Sequence, residues 1–178
     1  MHLRHATGTD ASAIAAIYNH AVEHTTASFD TEPKTAEDRV RWLDERSERH
    51  PVIVAEDAGE VIGWGALSPY SERPAYDATA EISIYVAEGH HRRGVGRALG
   101  SALLAKAPAL GLHTILARIC TENAASIAMV RALGFSDAGT MHEVGHKFGR
   151  WLDVATWEYR VPHPDVTPQP GATGNTHL

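Results

Sequence analysis

The segment between positions 81 and 97 combines residue types that suit the binding of a phosphate group. Residues 82–86 are mostly β-branched and aromatic, as in a strand, and a basic loop with two glycines follows them. Gly94 and Gly96 lack a Cβ atom, so the backbone can approach an anion, which the N–H groups of the next helix would face. Positive charge comes from three arginines: Arg92, Arg93 and Arg97. The spacing predicts a pyrophosphate site, although an ordinary solvated turn would show the same pattern.

The size and charge of the chain limit what such a site can bind. The chain has 178 residues, of which 43% are hydrophobic, and this is enough for one well-packed core and too little for two ordinary domains. The net charge of −6 argues against general nucleic-acid binding. We therefore expect a small anionic ligand that is held by a local basic site.

Cysteine, histidine and hydropathy patterns predict the compartment and the absence of a metal. Cys120 is the one cysteine and cannot form an internal disulfide, while the first ten residues lack the apolar core of a signal peptide. No apolar run approaches the roughly 20 residues of a membrane span. The twelve histidines form no His-Glu-x-x-His pair and no cluster with cysteine at ligand spacing, so we expect them to be surface or satisfied side chains. A cytoplasmic protein without a metal or a membrane partner is expected.

The first third of the chain predicts a strand and two helices. Residues 3–6 form a short strand, and Asp10 then caps a helix with apolar residues at helical spacing. Thr35 and Asp38 form a capping box for a second helix, in which Val40 and Leu43 are expected to face the core. Strands and helices then alternate along the rest of the chain.

Residues 51–56 and 61–67 read as two antiparallel strands joined by a tight turn. The remaining predictions are a strand at 80–87, a helix at 94–106, a strand at 113–119, a helix at 123–133, and strands at 136–146 and 153–161. Their order, β-α-α-β-β-β-α-β-α-β-β, predicts an α/β fold of the α+β type with helices on both faces of a mixed sheet. The domain is expected to span residues 1–161, and the Pro- and Gly-rich residues 162–178 to form an irregular tail.

A dinucleotide-binding unit is the alternative to this fold. The strand, loop and helix after position 80 fit such a unit locally. However, the full Gly-x-Gly-x-x-Gly motif is missing, and hairpin strands precede the loop. The surrounding elements therefore favour the mixed sheet.

Three motifs carry a resemblance to a known family. The strand Glu81-Ile-Ser-Ile-Tyr-Val86, the loop His91-Arg-Arg-Gly-Val-Gly96, and Asn123-Ala-Ala-Ser126 followed by Leu133-Gly-Phe135 resemble the GNAT superfamily of acetyl-CoA-dependent N-acetyltransferases. Within it, residues 29–35, 73–81 and 144–153 are similar to phosphinothricin N-acetyltransferases and to their methionine sulfoximine and sulfone acetylating relatives. The similarity extends over about residues 1–161.

The resemblance implies a GNAT-like, mostly antiparallel sheet of about six or seven strands, flanked by about four helices. Acetyl-CoA would lie where two neighbouring strands splay apart. The implied cofactor contacts are the strand backbone at Ile84, Tyr85 and Val86, the loop residues Arg92, Arg93, Gly94, Val95, Gly96 and Arg97, and the side chains of Asn123 and Ser126. Asn123 also reads as a helix N-cap, and both roles can hold together.

The reaction implied by the resemblance needs a base, because an amine is mostly protonated at pH 7. Glu81 is at the position of the family glutamate that takes this proton, and its alternative role is that of an exposed strand residue. A backbone N–H near Tyr85 would polarise the thioester carbonyl. The usual acid seven residues after the asparagine is replaced by Val130, which leaves Tyr85, His142, His146 or solvent. His91 also departs from the family's glutamine or arginine.

The acceptor implied by the resemblance is a glutamate-like amino acid with a tetrahedral head group, such as phosphinothricin or methionine sulfoximine. Its site would use a cation, Arg73, and apolar walls, Phe29 and Tyr76, with Lys147 nearby. The family also implies a homodimer. Two alternatives remain: transfer to another amine (a protein N-terminus, a polyamine or an aminoglycoside), and an acetyl-CoA sensor without turnover.

Overall fold

The computed structural model describes residues 1–162, in which seven strands form one mixed sheet. The strands are β1 (His2–His5), β2 (Val52–Asp57), β3 (Glu60–Pro69), β4 (Thr79–Val86), β5 (Thr114–Cys120), β6 (Ser136–Lys147) and β7 (Arg150–Arg160). The α-helices are α1 (Ala11–His24), α2 (Ala36–Asp44), α3 (Val95–Lys106) and α4 (Ala124–Ala132), and short 3₁₀ turns cover Gly8–Asp10 and Pro74–Tyr76. The predicted order of elements and the α/β fold class are confirmed.

The strand order across the sheet is β1-β2-β3-β4-β5-β7-β6, and every neighbouring pair is antiparallel except β4 and β5. The parallel pair is short: its register runs from Thr79 opposite Thr114 to Glu81 opposite Leu116. Beyond Glu81, β4 stays paired with β3 as far as Val86, whereas β5 stays paired with β7 as far as Cys120. The two strands therefore diverge in the middle of the sheet.

Helices cover both faces of the sheet, as predicted. One hydrophobic cluster joins α3 and α4 to the strands, with Leu99, Leu103, Ile115 and Val130 among its buried members. The other cluster, around the fully buried Trp64, joins α1 and α2 to β2 and β3. Because side chains alternate along each strand, one strand supplies residues to both clusters.

One of the two α2 residues that were predicted to face the core does not do so. Leu43 packs against the cluster around Trp64 as expected, whereas Val40 is 37% exposed and Arg39 is only 7% exposed. The Arg39 guanidinium lies 4.1 Å from the centre of the Tyr18 ring and 5.1 Å from that of Trp42. Stacking of a cation on aromatic faces makes this burial favourable, and an apolar-periodicity rule does not take it into account. The capping box of Thr35 and Asp38 is confirmed.

Asp10 has a different role from the predicted helix cap. Its side chain makes no cap hydrogen bond to α1 and instead closes the preceding 3₁₀ turn, where one of its oxygens accepts from the Thr7 N–H at 2.8 Å. Both carboxylate oxygens also accept from Arg4, at 2.7 and 2.8 Å. These charged hydrogen bonds hold the pKa of Asp10 below its usual value. The pair connects β1 to the start of α1.

Membrane spans and metal sites were also predicted to be absent. No helix within residues 1–162 is long and apolar enough to cross a membrane, and no group of three metal-ligating side chains occurs there. Apart from Pro162, the predicted tail lies outside the described residues.

The substitution Asp10→Asn tests the role of this buried carboxylate. We expect it to lower the free energy of unfolding at pH 7 by about 2 to 3 kcal/mol, because Arg4 and Thr7 lose a charged acceptor. The folded pKa lies below the unfolded one, so the stabilisation is present above about pH 4 and is lost as the pH falls through the folded value. Urea unfolding of both proteins between pH 7 and pH 3 measures it.

Asp44→Asn, at the exposed end of α2, is the control and should change stability by less than about 0.5 kcal/mol at either pH. If the difference between wild type and Asp10→Asn were the same at pH 7 and pH 3, the charge of Asp10 would not be the stabilising feature.

Candidate active site

A cavity of about 450 Å³ lies where β4 and β5 diverge. Its walls are residues 81–85 of β4, residues 117–120 of β5, the segment 26–30 after α1, and parts of α4 and β6. Six of the predicted site residues line it: Phe29, Glu81, Ile84, Tyr85, Asn123 and Ser126. Val130, at the position of the missing acid, lines it as well. The divergence of two strands thus brings together residues that are far apart in the sequence.

The backbone of β4 offers hydrogen-bonding groups to this gap. The Thr79 carbonyl accepts from Tyr70 and the Ala87 N–H donates to Ile62, so odd-numbered residues direct their backbone groups toward β3. Because direction alternates along a strand, Ile84 and Val86 direct theirs into the gap. Tyr85 itself faces Trp64 of β3. The Tyr85 N–H therefore points toward β3, and the gap-facing N–H groups nearest to it are those of Ile84 and Val86; a thioester contact from one of them stays a prediction.

The basic loop ends at the N-terminus of α3. Gly94 is the N-cap residue with φ +81°, a left-handed conformation that favours glycine, and Arg92 also has a positive φ of 61°. Turns of this kind expose successive N–H groups that suit an anion. The side chains of Arg92, Arg93 and Arg97 are exposed, whereas that of Val95 is in the core, so Val95 offers only its backbone.

Glycine at position 96 also has a role in helix packing. A Cβ atom there would lie 2.8 Å from the Sδ atom of Met129 in α4 and 3.6 Å from Val86 Cγ2. Gly96 therefore allows α3 to pack closely against α4 and β4, and the contact of its backbone with a phosphate stays a prediction. This packing positions the basic loop beside the Val86 end of the gap.

Glu81 lies at the last paired position before the strands diverge. Its two carboxylate oxygens accept from Arg118 Nε at 2.9 Å and from Arg118 Nη2 at 2.7 Å. The side chain of Glu81 is 21% exposed and that of Arg118 is 52% exposed, so the pair lies at the cavity mouth. The bidentate contact raises the pKa of the Arg118 guanidinium further above its usual value. Sequence reasoning missed Arg118, since no local motif marks it and only the register of β4 and β5 brings it to Glu81.

Tyr85, four residues after Glu81 on β4, packs in an aromatic group. Its ring lies 4.8 Å from Trp64 and 5.1 Å from Tyr18, measured between ring centres. Burial raises the pKa of its phenol above the usual value, so the group stays protonated at neutral pH and releases its proton less readily. Of the side chains predicted as general acids, Tyr85 is the one among the described residues that lines the cavity.

His142 and His146 lie outside the cavity wall. His142 Nδ1 is 2.9 Å from Asp153 Oδ2, and the ring of His146 packs on Trp151 with 5.0 Å between the centres.

Asn123 accepts a hydrogen bond from the Ser126 N–H at 3.1 Å, which confirms its N-cap role at α4. Its cofactor contact stays a prediction.

Lys147 was predicted to contact the acceptor, but the structure gives it another position. The side chain is buried, and its ammonium group donates to the carbonyls of Thr25 at 2.9 Å and Ser28 at 2.6 Å. Burial lowers its pKa. Lys147 therefore holds the segment 25–30 that forms one cavity wall. Gly145 supports the same segment, because the Phe29 ring occupies the space of a Cβ atom there.

Arg73 and Tyr76 are also outside the wall of the cavity in the single chain. Both lie in the connection between β3 and β4, where Arg73 precedes a 3₁₀ turn that ends at Tyr76. The Tyr76 ring packs edge-on against Tyr70, with 5.2 Å between their centres, and both rings are exposed. Arg73 is exposed as well. In the single chain these two residues therefore do not line the cavity, and their contact with the acceptor stays a prediction.

Comparison with known proteins supports the geometry. The profile of the acetyltransferase (GNAT) domain family matches residues 3–156. The L-methionine sulfoximine/L-methionine sulfone acetyltransferase of Pseudomonas aeruginosa is 42% identical over 154 residues, which cover 85% of this chain and 90% of that protein.

Two solved structures are similar over most of the chain. A GNAT superfamily phosphinothricin acetyltransferase from Sinorhizobium meliloti, in complex with acetyl-CoA, has a TM-score of 0.85 and 34% identity, and the match covers 95% of this chain and 96% of that one. A ribosomal-protein-alanine N-acetyltransferase from Brucella melitensis has a TM-score of 0.87 and 39% identity, with coverage of 90% and 99%.

The substitution Gly96→Val tests how α3 is docked. A branched side chain would push against Met129 and Val86, so we expect the basic loop to shift and the affinity for acetyl-CoA to fall by roughly 10-fold or more. Isothermal titration calorimetry with acetyl-CoA measures it. Gly8→Val is the control, because an added Cβ at Gly8 meets no atom within 4 Å. Unchanged affinity in a folded Gly96→Val protein would separate the loop from the cofactor site.

Proposed function

The chain belongs to the GNAT family of acetyl-CoA-dependent N-acetyltransferases, and from this premise we propose that it acetylates the α-amine of a small amino-acid analogue. The proposed acceptors are phosphinothricin, methionine sulfoximine and methionine sulfone, with Glu81 as general base. Family membership makes the protein an enzyme related to phosphinothricin and methionine sulfoximine acetyltransferases, so the sensor alternative is set aside.

The position of Glu81 is the observation that carries this proposal. Its carboxylate lies in the cavity at the point of strand divergence, next to the gap-facing backbone of β4. An ammonium group must lose a proton before its nitrogen can attack a thioester, and a carboxylate within hydrogen-bond reach takes that proton directly or through one water. The two hydrogen bonds from Arg118 hold the carboxylate at this position.

The cofactor contacts follow from the same geometry. When bound, acetyl-CoA supplies the acetyl thioester. The N–H and carbonyl groups of Ile84 and Val86 pair with its extended arm, and one of these N–H groups steadies the thioester oxygen. The α3 N-terminus and its exposed arginines hold the phosphates. His91 stands where the family has glutamine or arginine. This replacement is compatible with phosphate binding, because backbone N–H groups make much of the contact with the phosphates.

The cavity supports a small acceptor. A volume of about 450 Å³ is in the range of small-molecule sites, and Phe29 gives it an apolar wall beside the charged pair. The relative from Pseudomonas aeruginosa is named for methionine sulfoximine and sulfone, and the structure from Sinorhizobium meliloti for phosphinothricin. A cytoplasmic location stays a prediction.

A protein N-terminus is the second candidate acceptor. The similarity to the structure from Brucella melitensis, named for ribosomal-protein alanine, favours it. The acceptor panel below includes an alanine-initiated peptide for this reason.

We also propose a homodimer that covers β6. This strand is at the edge of the sheet and is exposed along most of its length, and its apolar residues Met141 and Val144 also line the cavity. An open edge with apolar side chains is typical of a surface that a second chain covers. We expect sedimentation velocity at micromolar concentration to give a dimer, which Val144→Arg dissociates. A wild-type monomer at these concentrations would contradict the proposal.

Release of free CoA thiol from acetyl-CoA tests the acceptor. The separate acceptors are phosphinothricin, methionine sulfoximine, methionine sulfone, spermidine and the alanine-initiated peptide. We expect turnover with the first three alone. Turnover with only the peptide or spermidine would keep the family activity and replace the proposed acceptor.

Glu81→Gln tests the base in the same assay. We expect kcat/KM to fall by roughly 100- to 10,000-fold, because the amide cannot take the proton, with acetyl-CoA affinity within about 2-fold of wild type. Glu122→Gln is the matched control, since Glu122 forms a similar two-bond pair with Arg150 outside the cavity wall. Wild-type turnover by Glu81→Gln would exclude Glu81 as the base.

A further inference from the structure

Three charged side chains line the cavity within the described residues: one cation and two carboxylates. Among the described residues that line the cavity, Arg118 is the one cation, and the carboxylates are Asp30 and Glu81. Asp30 accepts from the Tyr18 hydroxyl at 2.7 Å and lies 3.4 Å from Lys34. The pair of Glu81 and Arg118 is therefore the element with which a charged acceptor can interact.

Arg118 has donors beyond those that hold Glu81. A guanidinium carries five N–H donors in a planar fork, and the two bonds to Glu81 use one on Nε and one on Nη2. The side chain is 52% exposed, at the cavity mouth. A second carboxylate can therefore bind to Arg118 while Glu81 keeps its place. Glu81 in turn retains lone pairs for a donor, because a carboxylate accepts about four hydrogen bonds.

An α-amino acid has the complementary arrangement, with an ammonium and a carboxylate on the same carbon atom. We propose that Arg118 binds the α-carboxylate of the acceptor while Glu81 takes its ammonium proton, so that the enzyme requires a free α-carboxylate. This inference rests on the proposed function and narrows it to zwitterionic acceptors. Arg118 is then a specificity-determining residue as well as the residue that positions Glu81.

The positions of the other basic residues favour Arg118 for this task. Lys147 is occupied by two carbonyls of the segment 25–30, and Arg73 lies outside the cavity wall in the single chain. A neutral ion pair that meets a neutral zwitterion leaves no net charge in the site. A polyamine lacks the carboxylate and brings only positive charge next to Arg118, so it is disfavoured.

Methionine sulfone and two derivatives of it can distinguish carboxylate binding by Arg118 from positioning of Glu81 by Arg118. Methionine sulfone has an uncharged head group, so its α-carboxylate is its only anion; its methyl ester and its decarboxylated amine lack that anion. We expect wild type to prefer the acid, and Arg118→Gln to reduce the ratio of kcat/KM for acid over ester by roughly 10- to 100-fold, because a charged hydrogen bond is lost. The ratio for acid over amine should fall similarly.

Comparing these ratios between wild type and variant cancels the different intrinsic reactivities of the three amines, because each reactivity is the same for both enzymes. Arg118→Lys should restore part of the preference, since it keeps the charge without the planar fork. Arg150→Gln removes a matched arginine from its pair with Glu122 and should leave the ratios unchanged. Acetyl-CoA affinity and residual turnover of the ester establish that each variant is folded.

Three results would overturn the inference. Equal losses of kcat/KM for acid, ester and amine in Arg118→Gln would make Arg118 a positioning residue for Glu81 alone, and unchanged kcat/KM for all three would remove it from the site. Wild type that acetylates none of the three while acetylating the peptide would overturn the proposed function and this inference with it. Failure of the proposed function would therefore appear in the turnover of wild type, whereas failure of the Arg118 proposal would appear in the kcat/KM values of Arg118→Gln.

Discussion

The parallel pairing of β4 and β5 stops after Glu81, and the remaining features of the site depend on this interruption. Each strand keeps its antiparallel neighbour, β3 or β7, so the sheet stays intact on both sides while its middle opens. The opening creates the cavity and leaves the backbone of Ile84 and Val86 facing it. A backbone edge inside a folded domain needs a partner for its hydrogen-bonding groups, and an extended ligand arm can supply one.

The opening also divides the charges of the site into two parts. At one end, the N-terminus of α3 presents a basic loop in a chain whose net charge is −6. At the other end, Glu81 and Arg118 form a net neutral pair. Anionic phosphates suit the first part and an uncharged or zwitterionic molecule suits the second, so the two ligands do not compete electrostatically.

Two predicted contact residues also hold the walls of the cavity in place. Lys147 bonds to the carbonyls of the segment 25–30, and Gly96 lets α3 approach Met129. Both residues occupy family-like stretches of the sequence, where they read as direct contacts. Some residues line the cavity and others hold its walls in position. The second group stabilises the walls through close packing and buried hydrogen bonds.

The sequence alone determined the order of elements, the basic loop before α3 and the Asn123 cap, because periodicity, turn chemistry and capping patterns are local properties. Its resemblance to the GNAT superfamily indicated Glu81, which lines the cavity in the structure. The sequence did not predict the burial of Arg39, which depends on rings from α1, α2 and β3. Only the tertiary structure decided which backbone groups of β4 face the gap and that Arg118 holds Glu81. These two residues are 37 positions apart, and the register between strands, which no local pattern encodes, brings them into contact.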